Sequence, residues 1–443
     1  MKYFGTDGIR MKAEKFTSEF VFRVTDGLLK YTESLGFEHT PKVLIGGDTR
    51  ESSEWILQDL AAALETLGFE YASVGVLPTP AINYCFFEMG FDFAIDVTAS
   101  HNPYNDNGIK IFERGTKAGV KLSEQGCKTI EGAILSEETY ALASTSDRED
   151  LHDEAVRMYV THLLEYTDGA NLAGLKIGMD FANGAMSAIG GQAFTKLGAE
   201  VIEINNNASY GQGINAGCGS THLEELCELV AAQNLDFGVA YDGDGDRCLM
   251  IDGEGEVVDG DEIIAILVRD LELDAMVVTV MANQGLLDFA KKNSIRTEIT
   301  AVGDSNVAEA MRECGILIGG EQSGHIILPG EPTGDGMLTA LTMARAVKNS
   351  GKTLDELKKV MMKLPQVMVN MAVNAKQKEN LKTLEPARKL LLEYDEKLKG
   401  VSGRLLVRPS GTEPLIRITM WGNDESKIVA LAEELKNKLG EVL

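Results

Sequence analysis

Short apolar runs of four to six residues, alternating with amphipathic helical stretches, recur along most of the 443 residues. This alternation restricts the possible folds more than any other feature of the chain. Val43-Leu44-Ile45 precedes a helical pattern over residues 53–67, and residues 71–76 read as the next strand. Further apolar runs stand at 93–97, 176–179, 201–204, 237–241, 275–280 and 316–318, with helical patterns at 186–197, 223–233 and 337–348. Short strands alternating with helices predict parallel α/β units. The last part differs. Residues 367–373 alternate imperfectly, a long charged helix is predicted over 380–399, and strands at 404–407 and 415–420 precede a helix over 425–439. That order suits a small α+β domain.

At about 100–200 residues per domain, the length allows about three domains, give or take one. The boundaries are placed near residues 150, 253 and 365. The expectation is three βαβ-type, mixed-sheet α/β domains (1–150, 151–253 and 254–365) and a smaller C-terminal α+β domain (366–443). Apolar residues are 44% and charged residues 25% of the chain, which is ordinary for a globular enzyme and excludes a disordered one. Acidic residues outnumber basic ones 68 to 42, a net charge of −26, so binding to nucleic acid or to anionic lipid is disfavoured. An anionic substrate would need locally concentrated Arg and Lys. The six cysteines are scattered, without Cys-x-x-Cys or zinc-finger spacing, and are expected to be reduced. The N-terminus has no apolar signal region and no segment reaches the ~20 apolar residues of a membrane span. A cytoplasmic protein is expected, with no membrane partner.

Four polar loops follow predicted strands. They are Thr98-Ala99-Ser100-His101-Asn102-Pro103, Asp242-Gly243-Asp244-Gly245-Asp246-Arg247, Gly319-Gly320-Glu321-Gln322-Ser323-Gly324-His325 and Arg408-Pro409-Ser410-Gly411-Thr412-Glu413-Pro414. Ligands of α/β proteins gather beyond the carboxyl ends of strands. One such loop per expected domain points to a shared central cleft.

Asp242, Asp244 and Asp246 put about three negative charges within a few ångströms, a repulsive arrangement unless a cation sits among them. Hard oxygen donors select Mg²⁺ or Ca²⁺. A solvated acidic turn is the plainer alternative. An EF-hand is excluded because its sixth position, which should be Gly, is Arg247, and its twelfth, which should be Glu, is Gly253. Ser100 is the candidate nucleophile. It lacks the Gly-x-Ser-x-Gly frame of a serine hydrolase. Phosphoryl transfer needs a hydroxyl near a metal, cations on the phosphoryl oxygens and an acid/base, for which Lys110 is at hand. The backbone around Gly411, the hydroxyls of Ser410 and Thr412, and the guanidinium groups of Arg408 and Arg417 read as an anion cradle. A carboxylate, an amide, a hydroxyl and an imidazole, from Glu321, Gln322, Ser323 and His325, suit the hydroxyl and amino groups of a sugar.

In this order and at this spacing the four loops resemble those of the α-D-phosphohexomutase family. The likeness begins at Phe4-Gly5-Thr6-Asp7-Gly8-Ile9-Arg10 and spans essentially the whole chain. It implies four domains around a cleft. Ser100 would carry the transferable phosphoryl group, and Asp242, Asp244 and Asp246 would hold one Mg²⁺ with the Ser100 phosphate completing its shell. His101 and Lys110 would belong to the catalytic set, Lys110 moving protons, while Arg10 and Arg247 would stabilise charge near the phosphoserine. Glu321, Gln322, Ser323 and His325 would contact the sugar. Arg408, Ser410, Gly411, Thr412 and Arg417 would hold the phosphate that is not reacting. A sugar bisphosphate is implied as intermediate or primer, a small phosphosugar as the sole ligand partner, and a monomer or homodimer as the assembly.

Within the family, Gln322 and the segment Cys218-Gly219-Ser220-Thr221-His222 resemble the branch that acts on glucosamine phosphates. Glucose or mannose phosphates are the alternative. Met11, Phe181 and Ser305 depart from the family's usual residues, and Ser305 stands where a basic residue is common.

Overall fold

The computed structural model describes residues 1–5, 7–136, 149–410 and 414–443. Its strands form four sheets, met in turn along the chain. The first has eight strands, with Phe93–Val97 lying between Lys42–Gly47, its parallel neighbour, and Asp106–Arg114, its antiparallel one. The second has five, with Phe237–Tyr241 parallel to Lys176–Asp180 and antiparallel to Cys248–Asp252. The third has four, in which Ala275–Thr279 pairs in parallel with Arg296–Thr300 and Gly319–Gly320. The last three-stranded sheet, Gln366–Ala372, Leu415–Trp421 and Arg404–Pro409, is antiparallel throughout.

Both Phe93–Val97 and Phe237–Tyr241 are buried at every position. Continuous apolar runs are what a strand covered on both faces requires. Helices cover the sheets, their ends set by short polar side chains. Asp259 caps helix Gly260–Asp270 in a capping box with Glu262, and Asp335 caps helix Gly336–Ser350. Among the described residues no helix is long and apolar enough to cross a membrane.

The expected architecture of mixed α/β units followed by a smaller α+β unit is the one observed. Three details differ. The run at 316–318 only leads into the strand, which is Gly319–Gly320. The pattern at 186–197 is a 3₁₀ turn, Ala185–Ala188, and a short helix, Gln192–Lys196, parted by Gly190 and Gly191. The charged helix is two helices, Ala375–Thr383 and Glu385–Lys399, because Pro386 belongs at a helix start and not in an interior.

The distribution of apolar side chains matters for the cleft. One continuous cluster runs through the first three units, from Leu44 through Tyr159 and Phe237 to Met361. The fourth unit has a cluster of its own, between Met371 and Leu439.

Candidate active site

Each of the four loops joins two antiparallel strands of one sheet. The first three are hairpin connections, not the strand-to-helix turns that the βαβ pattern predicts, and the fourth lies between the two strands expected at 404–407 and 415–420. The first three of these loops meet one another.

The serine and acidic loops are in direct contact. Ser100 is buried, and its Oγ donates a hydrogen bond of 2.7 Å to Asp242 Oδ2. Ser100 holds a left-handed backbone conformation, φ 52°, which is unfavourable for a residue with a Cβ. Gly243 has to be glycine: a Cβ there would lie 2.6 Å from the Ser100 carbonyl oxygen. Thr79 ties the loops together as well, its N–H donating to the Asp244 carbonyl at 2.9 Å and its Oγ1 to Asp244 Oδ2 at 3.0 Å.

Asp242, Asp244 and Asp246 are almost fully buried and bring one carboxylate oxygen each within 4.8 Å of one another. Asp244 Oδ1 and Asp246 Oδ1 have no hydrogen-bond partner. Buried carboxylate oxygens without donors are costly unless a cation uses them, so the donor set fits a hard divalent ion. Burial, reinforced by Asp244 and Asp246, pushes the Asp242 carboxyl well above the usual carboxylate range. The buried Lys110 ammonium lies 2.7 Å from Asp244 Oδ2 and 3.1 Å from both Asp246 Oδ2 and Asp7 Oδ2. Burial opposes its charge, but Asp244, Asp246 and Asp7 outweigh burial and raise its pKa well above the ordinary lysine value. It is therefore held as the ammonium.

Arg247 Nη1 lies 3.2 Å from His101 Nδ1. Guanidinium nitrogens only donate, so His101 Nδ1 accepts. Burial, Arg247 and Arg10 lower the His101 pKa to about 4, and the ring is neutral. Arg10 pairs with Asp7 at 3.1 Å. The third loop touches the second: Arg247 and His325 form a β-bridge, and Cys248 N–H donates to the Gly324 carbonyl at 3.1 Å. His325 Nε2 accepts the Gly334 N–H at 3.1 Å, which leaves the ring proton on Nδ1, 3.6 Å from Asp246 Oδ1. The His325 Nδ1–H thus faces Asp246 Oδ1 from beyond hydrogen-bond distance. Ser323 is exposed, and Glu321 lies within electrostatic reach of both Arg247 and Arg408. A cavity of about 940 Å³ opens beside these groups, lined in part by Asp7, Lys110, Lys121, Asp304, Ser305 and His325.

Arg408 and Arg417 stand directly opposite on neighbouring strands. Like charges so placed repel, and burial followed by Arg417 lowers the Arg408 pKa. An anion between them would remove the repulsion. Ser410 is buried, its N–H donating to the Leu415 carbonyl at 2.9 Å. Gly411 and Thr412 lie outside the described residues. Gln322 is oriented away from the sugar role expected of it: its amide nitrogen lies 3.1 Å from Asp259 Oδ2 and 3.1 Å from Gln366 Oε1, at the seam with the fourth sheet.

Several further residues at the site have no role assigned from the sequence. Asp7 collects Arg10, Lys110 and Lys121. Lys121 spans from Asp7 to Asp304 of the third unit. Arg50, fully buried, and Asn215 both donate to the Ser100 carbonyl. Gly46-Gly47-Asp48-Thr49-Arg50 is itself a polar stretch at a strand's carboxyl end, the same signal that marks the other loops. Asn215, in a loop rich in Asn and Gly, offers no such signal.

Comparison with known proteins agrees with this arrangement over nearly the whole chain. Residues 1–141, 157–255, 259–364 and 368–438 match, in order, the alpha/beta/alpha domains I, II and III and the C-terminal domain of phosphoglucomutase/phosphomannomutase. A phosphoglucosamine mutase from Caldicellulosiruptor bescii is 43% identical over 451 residues, covering 98% of each chain. Among solved structures, a phosphoglucomutase/phosphomannomutase family protein from Burkholderia thailandensis superimposes with a TM-score of 0.78 at 19% identity, covering 99% of this chain and 97% of that one. Aspergillus fumigatus N-acetylphosphoglucosamine mutase, solved with GlcNAc-6P and magnesium, gives 0.70 at 17% identity, with 99% and 96% covered. At those identities the two structures speak for the fold, while the matched domains and the full-length relative speak for descent. The chain belongs to the phosphoglucomutase/phosphomannomutase family of α-D-phosphohexomutases.

Proposed function

We propose that this protein interconverts glucosamine 6-phosphate and glucosamine 1-phosphate through a phosphorylated Ser100. The observation that carries the reading is the Ser100 hydroxyl held 2.7 Å from the buried acidic loop, in a chain 43% identical over 98% of its length to a phosphoglucosamine mutase. In the first transfer the P–O bond to Ser100 Oγ breaks and a bond to the sugar's remaining hydroxyl forms, giving a bisphosphate. The proton moves, in net, from the sugar hydroxyl to Ser100 Oγ. The bisphosphate then turns over, and the other phosphoryl group returns to Ser100 as the proton goes back to the sugar.

Lys110, held as an ammonium, supplies a proton to the departing oxygen. Arg247 and Arg10 offset charge on the phosphoryl oxygens, with neutral His101 fixing the Arg247 guanidinium. Ser323 and Glu321 bind sugar hydroxyl and amino groups, His325, its ring nitrogens turned to Gly334 and Asp246, steadies the sugar loop, and Arg408, Arg417 and Ser410 hold the distal phosphate. Gln322 supports the sugar loop through Asp259 and Gln366. Asp242, Asp244 and Asp246 would hold one Mg²⁺, which when bound draws charge from the phosphoryl oxygens and offsets the carboxylates. The test is isomerisation of glucosamine 6-phosphate, glucose 6-phosphate and mannose 6-phosphate, assayed in parallel with Mg²⁺ and a trace of bisphosphate. The highest kcat/KM is expected for glucosamine 6-phosphate, and preference for either neutral sugar rejects the assignment.

A further inference from the structure

One contact from the second unit reaches behind the reactive serine. Asn215 holds a left-handed conformation, φ 56°, that Asn tolerates better than most residues. Its N–H donates to the Ala182 carbonyl at 2.9 Å. Asn215 is 9% exposed, and its side-chain amide donates to the Ser100 carbonyl at 2.9 Å and the Asn102 carbonyl at 3.1 Å. Arg50 grips the same two carbonyls from the first unit, at 2.8 Å each. Arg50 Nε also donates to Asp48 Oδ2 at 2.8 Å, which accepts Thr98 Oγ1 at 2.7 Å, and Thr98 Oγ1 accepts the Ser100 N–H at 2.9 Å. Both ends of the Ser100 peptide are therefore held.

The acidic loop closes the stack. A Cβ on Gly243 would meet the Ser100 oxygen at 2.6 Å and Asn215 Nδ2 at 2.8 Å. The Ser100 carbonyl is thus enclosed by Arg50 of the first unit and by Asn215 and the acidic loop of the second. A left-handed Ser100 relaxes if its carbonyl is released, since the right-handed region is favoured for any residue with a Cβ. Rotation about φ carries the side chain with it, and Oγ then leaves Asp242.

We propose that Asn215 is a positioning residue for phosphoryl transfer: by capturing the Ser100 and Asn102 carbonyls it keeps Ser100 left-handed and its Oγ aimed at the acidic loop. Docking of the second unit on the first then completes the orientation of the nucleophile that Arg50 and Thr98 begin. The inference rests on the reading of Ser100 as the phosphoryl carrier but not on which sugar is used.

Asn215→Gly suits the φ of 56° and removes the amide, and Asn215→Asp keeps the shape while turning an oxygen toward two carbonyl oxygens. The probe is glucose 1,6-bisphosphate with Mg²⁺. Charging breaks a P–O bond of the bisphosphate, forms one to Ser100 Oγ and transfers the serine proton to the released sugar oxygen. Intact-protein mass spectrometry follows the gain of one phosphoryl group with time. Both full-length variants are expected to charge about 10- to 100-fold more slowly, and kcat with glucosamine 6-phosphate falls in step while KM stays within about twofold. Charging at the wild-type rate by either variant overturns the proposal, as does a rise in KM that accounts for the lost kcat/KM. Should Asn215→Gly fail to fold, the nearly isosteric Asn215→Asp carries the same test. Wild-type protein that charges but leaves glucosamine 6-phosphate unchanged refutes the sugar assignment, and the positioning role is then decided on charging alone. Wild-type protein that never charges overturns both.

Discussion

Replacing Lys110 by methionine tests the electrostatic core of the site. The ammonium lies within 2.7–3.1 Å of Asp244, Asp246 and Asp7, with 4% of the Lys110 side chain exposed against 1% and 4% for the first two partners. Removing one partner from a buried ionic cluster costs about 3–5 kcal/mol, because the remaining charges lose their counter-ion. At about 2–4 °C per kcal/mol for a cooperative unit of 150–250 residues, and less for a larger one, Lys110→Met should melt roughly 6–10 °C below wild type in a chelator. A divalent ion answers the same excess charge, so the variant should regain more than wild type when Mg²⁺ is added. Binding at a hundred times Kd is worth about 2.7 kcal/mol, enough to restore much of the loss. Differential scanning fluorimetry with and without Mg²⁺ reads both effects, and activity is expected to stay low because the proton donor is gone. Equal melting of variant and wild type in chelator, or equal gains from Mg²⁺, refutes the charge balance described here.

Ser100→Ala should lower kcat by about 10⁴-fold or more and abolish the one-phosphoryl mass increment, checked by intact-protein mass spectrometry. Arg417→Gln should raise KM for the sugar monophosphate by roughly tenfold or more, since a charge-assisted phosphate contact is lost, with a smaller change in kcat; steady-state kinetics at two ionic strengths checks it. Burial raises the Asp335 carboxyl from 3.8 to about 7, so the folded state keeps that proton after the unfolded chain has released it. Its contribution therefore falls as pH rises from about 4 to 7 and is flat above, by about 2–4 kcal/mol in all. Urea denaturation across that range should show the decline in wild type and a shallower one in Asp335→Asn.

Much of this was legible in the chain because buried strands and reactive loops obey local rules. Phe93–Val97, apart from Asp96, and Phe237–Tyr241 are apolar because both faces are covered, and the polar residues that follow them have no packing reason to be so charged. Asp242, Asp244 and Asp246 point to a cation by their mutual repulsion, which Lys110, far away in the sequence, relieves in part. What stayed hidden depends on contacts between units. That Asn215 answers a carbonyl 115 positions earlier follows from docking, which leaves no periodic trace. Gln322 reads as a substrate ligand from its neighbours, yet its amide faces Asp259 and Gln366 at a seam that only the assembled chain possesses. The hairpin character of the first three loops was also hidden, in the third because its partner Ile326–Ile327 is too brief to show alternation.

The separate apolar cluster of the fourth unit bears on how a reversible two-step transfer can proceed at all. A lid sealed by shared oil-like packing would resist each opening in proportion to the surface exposed. Here the described ties near the seam include amide and guanidinium contacts, among them Gln322 to Gln366 and Arg404, stacked on Trp421, to the carbonyl of Ala282. Water replaces such bonds at a net cost of about 1 kcal/mol each. On the proposed function, a loosely latched door of this kind would let a bisphosphate rotate within its enclosure and still be recaptured before it diffuses away.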